Sequence, residues 1–361
     1  MMGDVKNQMA IEIELKLLFQ ENNKKNIINL FDNLNEAESK PLVFLKNQYF
    51  DTSDLQLRRW DMGLRIRAED GRLEQTIKTA GTVVGGVHSR PEYNIDIQKN
   101  FPDLTLSPNT IWPNNTQVSH INDALQCLFS TDFSRQCWHV HVNHTVIEVA
   151  LDLGSIYVGE FSETICELEL ELISGDPAEL LTLAKRLAAK VPVRLGKSSK
   201  AKRGYLLAAE AGIIVQKQGA GSEVLLSVLE EKVDAFSHER DHEIKSKRAF
   251  DCVKIGLDCW LQWEDLQLNP SLSDPRALYC QFQQNLQLLQ IVFSQAQCFS
   301  ADNKAMFTHF IKEVDALKIG HISSSECINE TNIKDEISAL FNNPHYGLLQ
   351  IILVKIALKA M

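Results

Sequence analysis

Glu12, Glu14 and Lys16 stand two residues apart in a segment, Ile11 to Leu17, that alternates apolar and ionic side chains without a break. A period of two is the signature of a strand, and it puts the three charges on one face and Ile11, Ile13, Leu15 and Leu17 on the other. The device recurs. Glu167, Glu169 and Glu171 alternate with Leu168, Leu170 and Leu172, while Glu148 shares a face with Asp152, Arg65 with Arg67, Thr76 with Lys78, and Arg90 with Glu92. Arg and Lys neutralise phosphate oxygens and carboxylates hold hard divalent cations, so an enclosed surface of this kind suits a small, highly anionic ligand that travels with metal. A sheet face open to water is the competing account, adequate for any single strand but weaker for all of them together. A linear triphosphate resists attack because its anionic oxygens repel nucleophiles; fixed cations, and a metal that polarises phosphorus and lowers the pKa of water, would overcome that resistance. No Ser-His-Asp or Cys-His nucleophile pattern is present and Ser198-Ser199 reads as loop, so direct attack by water is the simpler expectation.

Those side chains need a scaffold that turns them towards one another. Strand-like runs continue at Lys46 to Asp51, Gly63 to Ala68, Leu73 to Thr79 and Glu92 to Gln98, punctuated by Asp70-Gly71, Ala80-Gly81 and Gly85-Gly86. Beyond an irregular stretch from Phe101 to Thr116, a helix is predicted from Val118 to Phe129. A meander then resumes at Arg135 to Val142, Thr145 to Leu153, Ser155 to Glu160 and Thr164 to Ile173, with Gly154 read as a turn. Helical spacing marks about Asn23 to Asn35, and Asp176 to Lys190 ahead of Pro192. So many antiparallel strands are best served by closure, which removes unpaired edges. The expected fold class is therefore α+β: a closed antiparallel eight-stranded β-tunnel over residues 1–210, a linker over 211–222 around Gly219-Ala220-Gly221-Ser222, and an all-α helical domain over 223–361. Helices are predicted in that last part at Glu223 to Glu239, His242 to Glu264, Pro275 to Ala296, Asp302 to Leu317, Asn332 to Phe341 and Tyr346 to Ala360.

The chain has 361 residues, 44% hydrophobic and 23% charged, enough apolar material for two cores. Its net charge is −10 and both halves hold more acid than base, which disfavours nucleic acid as a partner yet leaves room for a local basic lining around one small anion. The eight cysteines are scattered, with no CxxC pair, and read as reduced thiols. Met1 to Asp4 shows no signal pattern and the longest apolar run, Leu348 to Leu358, is too short to cross a bilayer, so no membrane partner and a cytoplasmic location are expected. Trp60, Trp112 and Trp138 could stack on a ring but are expected to serve packing. His88, His139 and His141 are expected to be ordinary surface or core residues, since carboxylate sites for Mg²⁺ do not require them.

The Glu12-Ile13-Glu14-Leu15-Lys16 strand resembles the ExExK signature of the CYTH superfamily of triphosphate tunnel metalloenzymes. Further matches follow in order at Tyr49-Phe50-Asp51-Thr52, Gly63 to Arg67, Glu74 to Lys78, Arg90 to Asn94, Glu148 to Gly154, Cys166 to Leu172 and Ser199 to Tyr205, so the likeness runs from about Ala10 to Leu207. It is closest to the bacterial inorganic triphosphatases that carry a C-terminal CHAD-type helical domain. The resemblance implies hydrolysis of inorganic triphosphate, a small polyphosphate, to pyrophosphate and phosphate with Mg²⁺ or Mn²⁺, as a pair of ions in the site. It implies Glu12, Glu14, Lys16 and Glu169 as catalytic residues, and Glu12, Glu14, Glu167, Glu169 and Glu171 as metal ligands. Lys16, Arg65, Arg67, Lys78, Arg90, Arg135, Lys200 and Arg203 would grip phosphate oxygens, with Glu92, Glu148 and Asp152 in support. Arg135 and Lys197 fit either lining or rim, and Lys202 reads as solvated.

Thiamine triphosphatase and nucleoside triphosphatase are alternatives within the superfamily. The adenylate cyclases of the group usually precede ExExK with a His-Phe element, which Met9-Ala10 lacks. A non-catalytic polyphosphate sensor is the alternative from another class, although carboxylate clusters are electrostatically costly for a mere anion binder. The helical part departs from the CHAD pattern, being short and acidic, with His238-Glu239-Arg240 and Lys245 to Arg248 as its basic features. A truncated or degenerate support domain is expected there, with Leu348 to Leu358 sealing it or joining a homodimer.

Overall fold

The alternation that begins near Ile11 builds β1 (Gln8–Leu18), and seven further strands follow it around a ring: β2 (Val43–Thr52), β3 (Gly63–Glu69), β4 (Arg72–Lys78), β5 (Val87–Ile97), β6 (Leu125–Val142), β7 (Thr145–Val158) and β8 (Phe161–Ser174). The structure, a computed structural model, describes residues 8–84, 86–215, 222–267, 275–316 and 330–358. Every pairing in the ring is antiparallel, in the order β1-β8-β7-β6-β2-β3-β4-β5, and β5 returns to β1. Closure is visible in the register of β1, which sets Lys16 opposite Glu169 of β8 on one side and Glu12 opposite Arg90 of β5 on the other. Short strands at Ala37–Ser39, Thr82–Val84 and Arg194–Leu195 decorate β6, β5 and β1. The result is the expected closed eight-stranded antiparallel barrel followed by a helical region.

The apolar sides of β1, β6, β7 and β8 face outward. Leu15, Leu17, Trp138, Val140, Ile147, Val149, Leu168 and Leu170 are completely buried, and they share one core with α1 (Lys24–Asp32), α2 (Ala178–Ala188) and the C-terminal helices. Polar inside and apolar outside is the reverse of an ordinary side-chain-filled barrel, so those strands need a helical cover to keep their leucines from water. The cover comprises α4 (Ser222–Ser237), α5 (His242–Gln267), α6 (Pro275–Gln295), α7 (Ala301–Asp315), α8 (Glu330–Phe341) and α9 (Pro344–Ala357), close to the predicted spans. The predicted linker core, Gly219 to Gly221, lies outside the described residues. In α9, Leu349, Ile351, Leu353 and Val354 are buried within this chain, so the apolar run seals the core. No helix among the described residues is long and apolar enough to cross a membrane.

Two expectations are corrected. The helix predicted over Val118 to Phe129 ends at Asp123, because Leu125 to Phe129 pair with the end of β2 as the first part of the 18-residue β6. Gly154 is no turn: it lies within β7, where a Cβ would run into the Asp132 carbonyl oxygen and Phe133 Cα of β6, so its function is close strand approach.

Trp138 ties the outer face to the first helix, stacking on Phe31 with ring centroids 5.3 Å apart and donating from Nε1 to Asp32 Oδ1 at 2.8 Å. Trp138→Ala is expected to lower stability by about 3–5 kcal/mol, read as a shift of the urea midpoint.

Candidate active site

Because opposed residues of antiparallel strands share a face, the register lines up Glu14 of β1, Glu171 of β8 and Glu148 of β7 in one row inside the ring. Glu12, two residues earlier on β1, adjoins that row. Burial pushes the Glu171 carboxyl up to about 7, helped by Glu12 and Glu148. Burial likewise takes Glu12 up to about 7, and the neighbouring Glu14 and Glu92 add to the rise against the opposing pull of Lys78. Lys78 is ion-paired to Glu12 and lies 3.1 Å from Glu92. Glu148 also meets His139 Nε2 at 3.1 Å. The four carboxylates do not converge to within 4.8 Å as a set, as expected of like charges with little cation between them. Hard divalent cations take such oxygen donors, and a donor set short of positive charge fits them.

A second group of carboxylates is different in kind. Glu167 is fully buried between Lys200 at 2.7 Å, Lys16 at 3.3 Å and Arg203. Burial opposes its charge, yet the three cations outweigh it and hold the carboxyl down at about 2. Glu169 is ion-paired to Lys16, with Lys200 at 3.0 Å and Arg135 at 2.6 Å, and is held well below the usual carboxylate range despite its burial. Asp152 takes two parallel bonds of 2.7 Å from Arg135 and a second ion pair at 2.7 Å from Lys200. The five expected metal carboxylates are thus split: Glu12, Glu14 and Glu171 stand in the cation-poor set, Glu167 and Glu169 in the clasp of lysines and arginines.

The cations fall into held and unheld ones. Lys16 is buried, which opposes its charge, but Glu167, Glu169 and Glu14 keep its ammonium well above the usual value. Arg65 reaches Glu92 at 3.6 Å and its Nε is buried without a partner. Arg67 forms no ion pair among the described residues. Its Nε donates to Asn47 Oδ1 at 3.0 Å, and burial with Arg65 and Arg135 nearby pushes its pKa down to about 10. Arg90 stands nearer the rim, 4.0 Å from the exposed Asp61, with Nε buried and unpartnered. This strip of the lining carries surplus positive charge.

Lys200 and Arg203 come from α3 (Lys200–Glu210), capped by Ser199, whose Oγ accepts from the Lys202 amide at 3.1 Å. The helix is pinned by its own sequence. Tyr205 donates to the buried Asp51 of β2 at 3.0 Å, and at Gly204 a Cβ would collide with the Phe129 ring, so only glycine lets the helix approach. Two sequence blocks 154 residues apart meet here. Lys197 and Lys202 turn away from the tunnel to Asp258 and Asp265 of α5, at 3.1 and 3.0 Å. Trp138 and Trp112 are buried in packing. Sequence reasoning missed Asn47 and Glu163 and gave His139 no part in the site; Glu163 accepts from Arg203 Nε at 2.6 Å and Asn47 from Arg67 Nε, contacts set by the pairing of distant segments.

A family model described as the CYTH domain matches residues 10–205, more than half of the chain. The chain belongs to the CYTH family. An inorganic triphosphatase of Haemophilus influenzae is 39% identical over 203 residues, 56% of this chain and 56% of that protein. The chain therefore spans little more than half the length of that relative. A solved structure from Hippeastrum, described as a candidate adenylyl cyclase with a dominant triphosphatase activity, aligns with TM-score 0.41 and 18% identity over 55% of this chain and 96% of its own. A candidate adenylate cyclase from Bacillus halodurans aligns with TM-score 0.36 and 19% identity over 54% and 97%.

The two kinds of carboxylate should respond oppositely to neutralisation. In metal-free protein near pH 8, Glu171→Gln removes a charge that burial and its acidic neighbours disfavour and should raise the urea midpoint. Glu167→Gln removes a counter-charge shared by three buried cations, Lys16, Lys200 and Arg203, and should cost about 3–5 kcal/mol. Since the folded pKa of Glu12 and Glu171 lies above the unfolded value near 4.5, their contribution to stability is lost as pH rises from there through about 7. Urea midpoints across that window, in chelator, measure both effects.

Proposed function

We propose that the tunnel hydrolyses a small linear polyphosphate, inorganic triphosphate above all, to pyrophosphate and phosphate, with water as the nucleophile. What carries this reading is one combination within a closed ring: carboxylates short of cations, Glu12, Glu14, Glu148 and Glu171, and on the same lining Arg67, a guanidinium that forms no ion pair among the described residues. A ligand that brings several anionic oxygens together with divalent metal satisfies both. The relative named inorganic triphosphatase supports the same choice.

In this reading Glu12, Glu14 and Glu171, with Glu148 beside them, hold Mg²⁺ or Mn²⁺ as a pair of ions. The bound metal neutralises phosphate charge and lowers the pKa of water. Arg65, Arg67, Arg90 and Lys78 bind and orient the phosphate chain. Lys16, Lys200, Arg135 and Arg203 present fixed positive charge, because Glu167, Glu169 and Asp152 keep them in place before substrate arrives. Glu167 and Glu169 are therefore proposed as counter-charges and not as metal ligands, and Glu171 takes the catalytic place expected of Glu169. Residues 1–210 would form the tunnel unit and 223–361 a helical support unit joined through 211–222. The scattered cysteines suit work in a reducing compartment such as the cytoplasm.

Phosphate release from tripolyphosphate, thiamine triphosphate and ATP, with and without Mg²⁺ or Mn²⁺, tests the assignment; tight metal-independent binding without release from any of them would replace it with a sensor. Glu14→Gln is expected to abolish release while the circular dichroism spectrum is retained, and a chelator should do the same to the wild type reversibly. Arg67→Ala should cut kcat/KM about ten- to hundredfold, mostly through KM, as a charged hydrogen bond to substrate is lost.

A further inference from the structure

Far from the tunnel, α7 and α9 bring two histidines onto one carboxylate. His309 and Glu313 lie four apart on α7, on the face opposite the buried Phe307, Phe310 and Val314, so the helix presents them side by side. His345, in the first turn of α9, completes the group. His309 Nε2 is 3.3 Å from Glu313 Oε1, and His345 Nδ1 is 3.2 Å from Oε2 and 3.3 Å from Oε1. All three ligand atoms lie within 4.8 Å of one another, which no other such trio among the described residues does. The imidazoles stand edge to face, centroids 5.2 Å apart and planes at 83°, so their nitrogens point at a common region without stacking.

We infer that His309, Glu313 and His345 bind a borderline divalent transition ion, Zn²⁺ foremost. The donor set is the reason. Two neutral imidazoles and one carboxylate are a recurrent zinc set, whereas the all-oxygen tunnel lining suits Mg²⁺ or Mn²⁺. Zn²⁺ at about 2.0–2.1 Å from each donor in a tetrahedron puts donors about 3.3 Å apart, the spacing already present between Glu313 and each histidine. The outer shell is in place: Asn343 Nδ2 donates to Glu313 Oε2 at 3.2 Å, orienting the carboxylate, while Asn343 Oδ1 caps α9 by accepting the His345 amide at 2.7 Å. Three protein donors leave a fourth position for water, and the site is open to solvent, with His309 59% exposed. The ion would tie α7 to α9, the helix whose Gln350 accepts the Leu195 amide of the strand beside β1 at 2.9 Å.

The test uses the full chain, stripped with chelator and held in excess Mg²⁺ so that the tunnel carboxylates are occupied. Co²⁺ is expected to bind at one equivalent with the intense visible absorption of a tetrahedral nitrogen-containing site, and Zn²⁺ to displace it. His309→Gln and His345→Ala should each weaken Co²⁺ by more than about a hundredfold, and Asn343→Ser, which keeps the helix cap but loses the amide to Glu313, by about ten- to hundredfold. Glu171→Gln should leave the signal unchanged. Zn²⁺ should raise the thermal midpoint of the wild type but not that of His345→Ala. Absence of the absorption band, or a band that survives both histidine substitutions, would overturn the site.

Discussion

Inside a ring of eight strands a charge has little bulk water to lean on, and its counter-charge must come from another strand or from a ligand. That constraint organises the molecule. Burying an unpaired carboxylate or guanidinium costs several kcal/mol, so the lining can keep only as many uncompensated charges as a ligand will meet. Lys16, Lys200, Arg135 and Arg203 are matched inside the protein by Glu167, Glu169, Asp152 and Glu163. Glu171 and Arg67 are not, and Glu12 shares Lys78 with Glu92; the raised carboxyls and the lowered guanidinium record the mismatch.

The matched part does work for the unmatched part. Each lysine or arginine in the clasp is held by two or more carboxylates, so its position is fixed before any anion enters, and little reorganisation is left to the moment of reaction. The pin between Tyr205 and Asp51 extends this to α3, whose lysine and arginine reach the lining only because Gly204 lets the helix lie against Phe129.

Turning the polar face inward sends the apolar face outward, and the helical half answers that need. Its dock on the barrel is partly polar. Glu264 of α5 is buried, which raises its pKa; it accepts from Arg194 at 2.8 Å and from Tyr346 at 2.7 Å, and Tyr346 in turn accepts from Trp260 at 2.6 Å. Ser198, Lys197 and Lys202, which adjoin the tunnel residues Lys200 and Arg203 in sequence, bond to α5 instead. One short segment thus faces the site with Lys200 and Arg203 and the helices with Lys197, Ser198 and Lys202, a direct physical link between the two halves.

Alternation determined much of this in advance. A strict period of two on β1 and β8, carboxylates on one side and leucines on the other, fixes strands, their faces and the sorting of charge, because neighbouring side chains on a strand must point oppositely. The helical spans were equally legible from their apolar spacing. Two local readings failed because tertiary pairing overrode them: Leu125 to Phe129 have a partner in β2, and Gly154 serves a close strand approach that only the neighbouring β6 reveals. The division of the carboxylates was out of reach altogether. Glu167, Glu169 and Glu171 are equivalent along the sequence, and what separates them is which strand and helix lie across the ring, since electrostatic partners are chosen by distance in space. The same holds for His309, Glu313 and His345, where a helical pair meets a third side chain that only the packing of α9 against α7 could deliver.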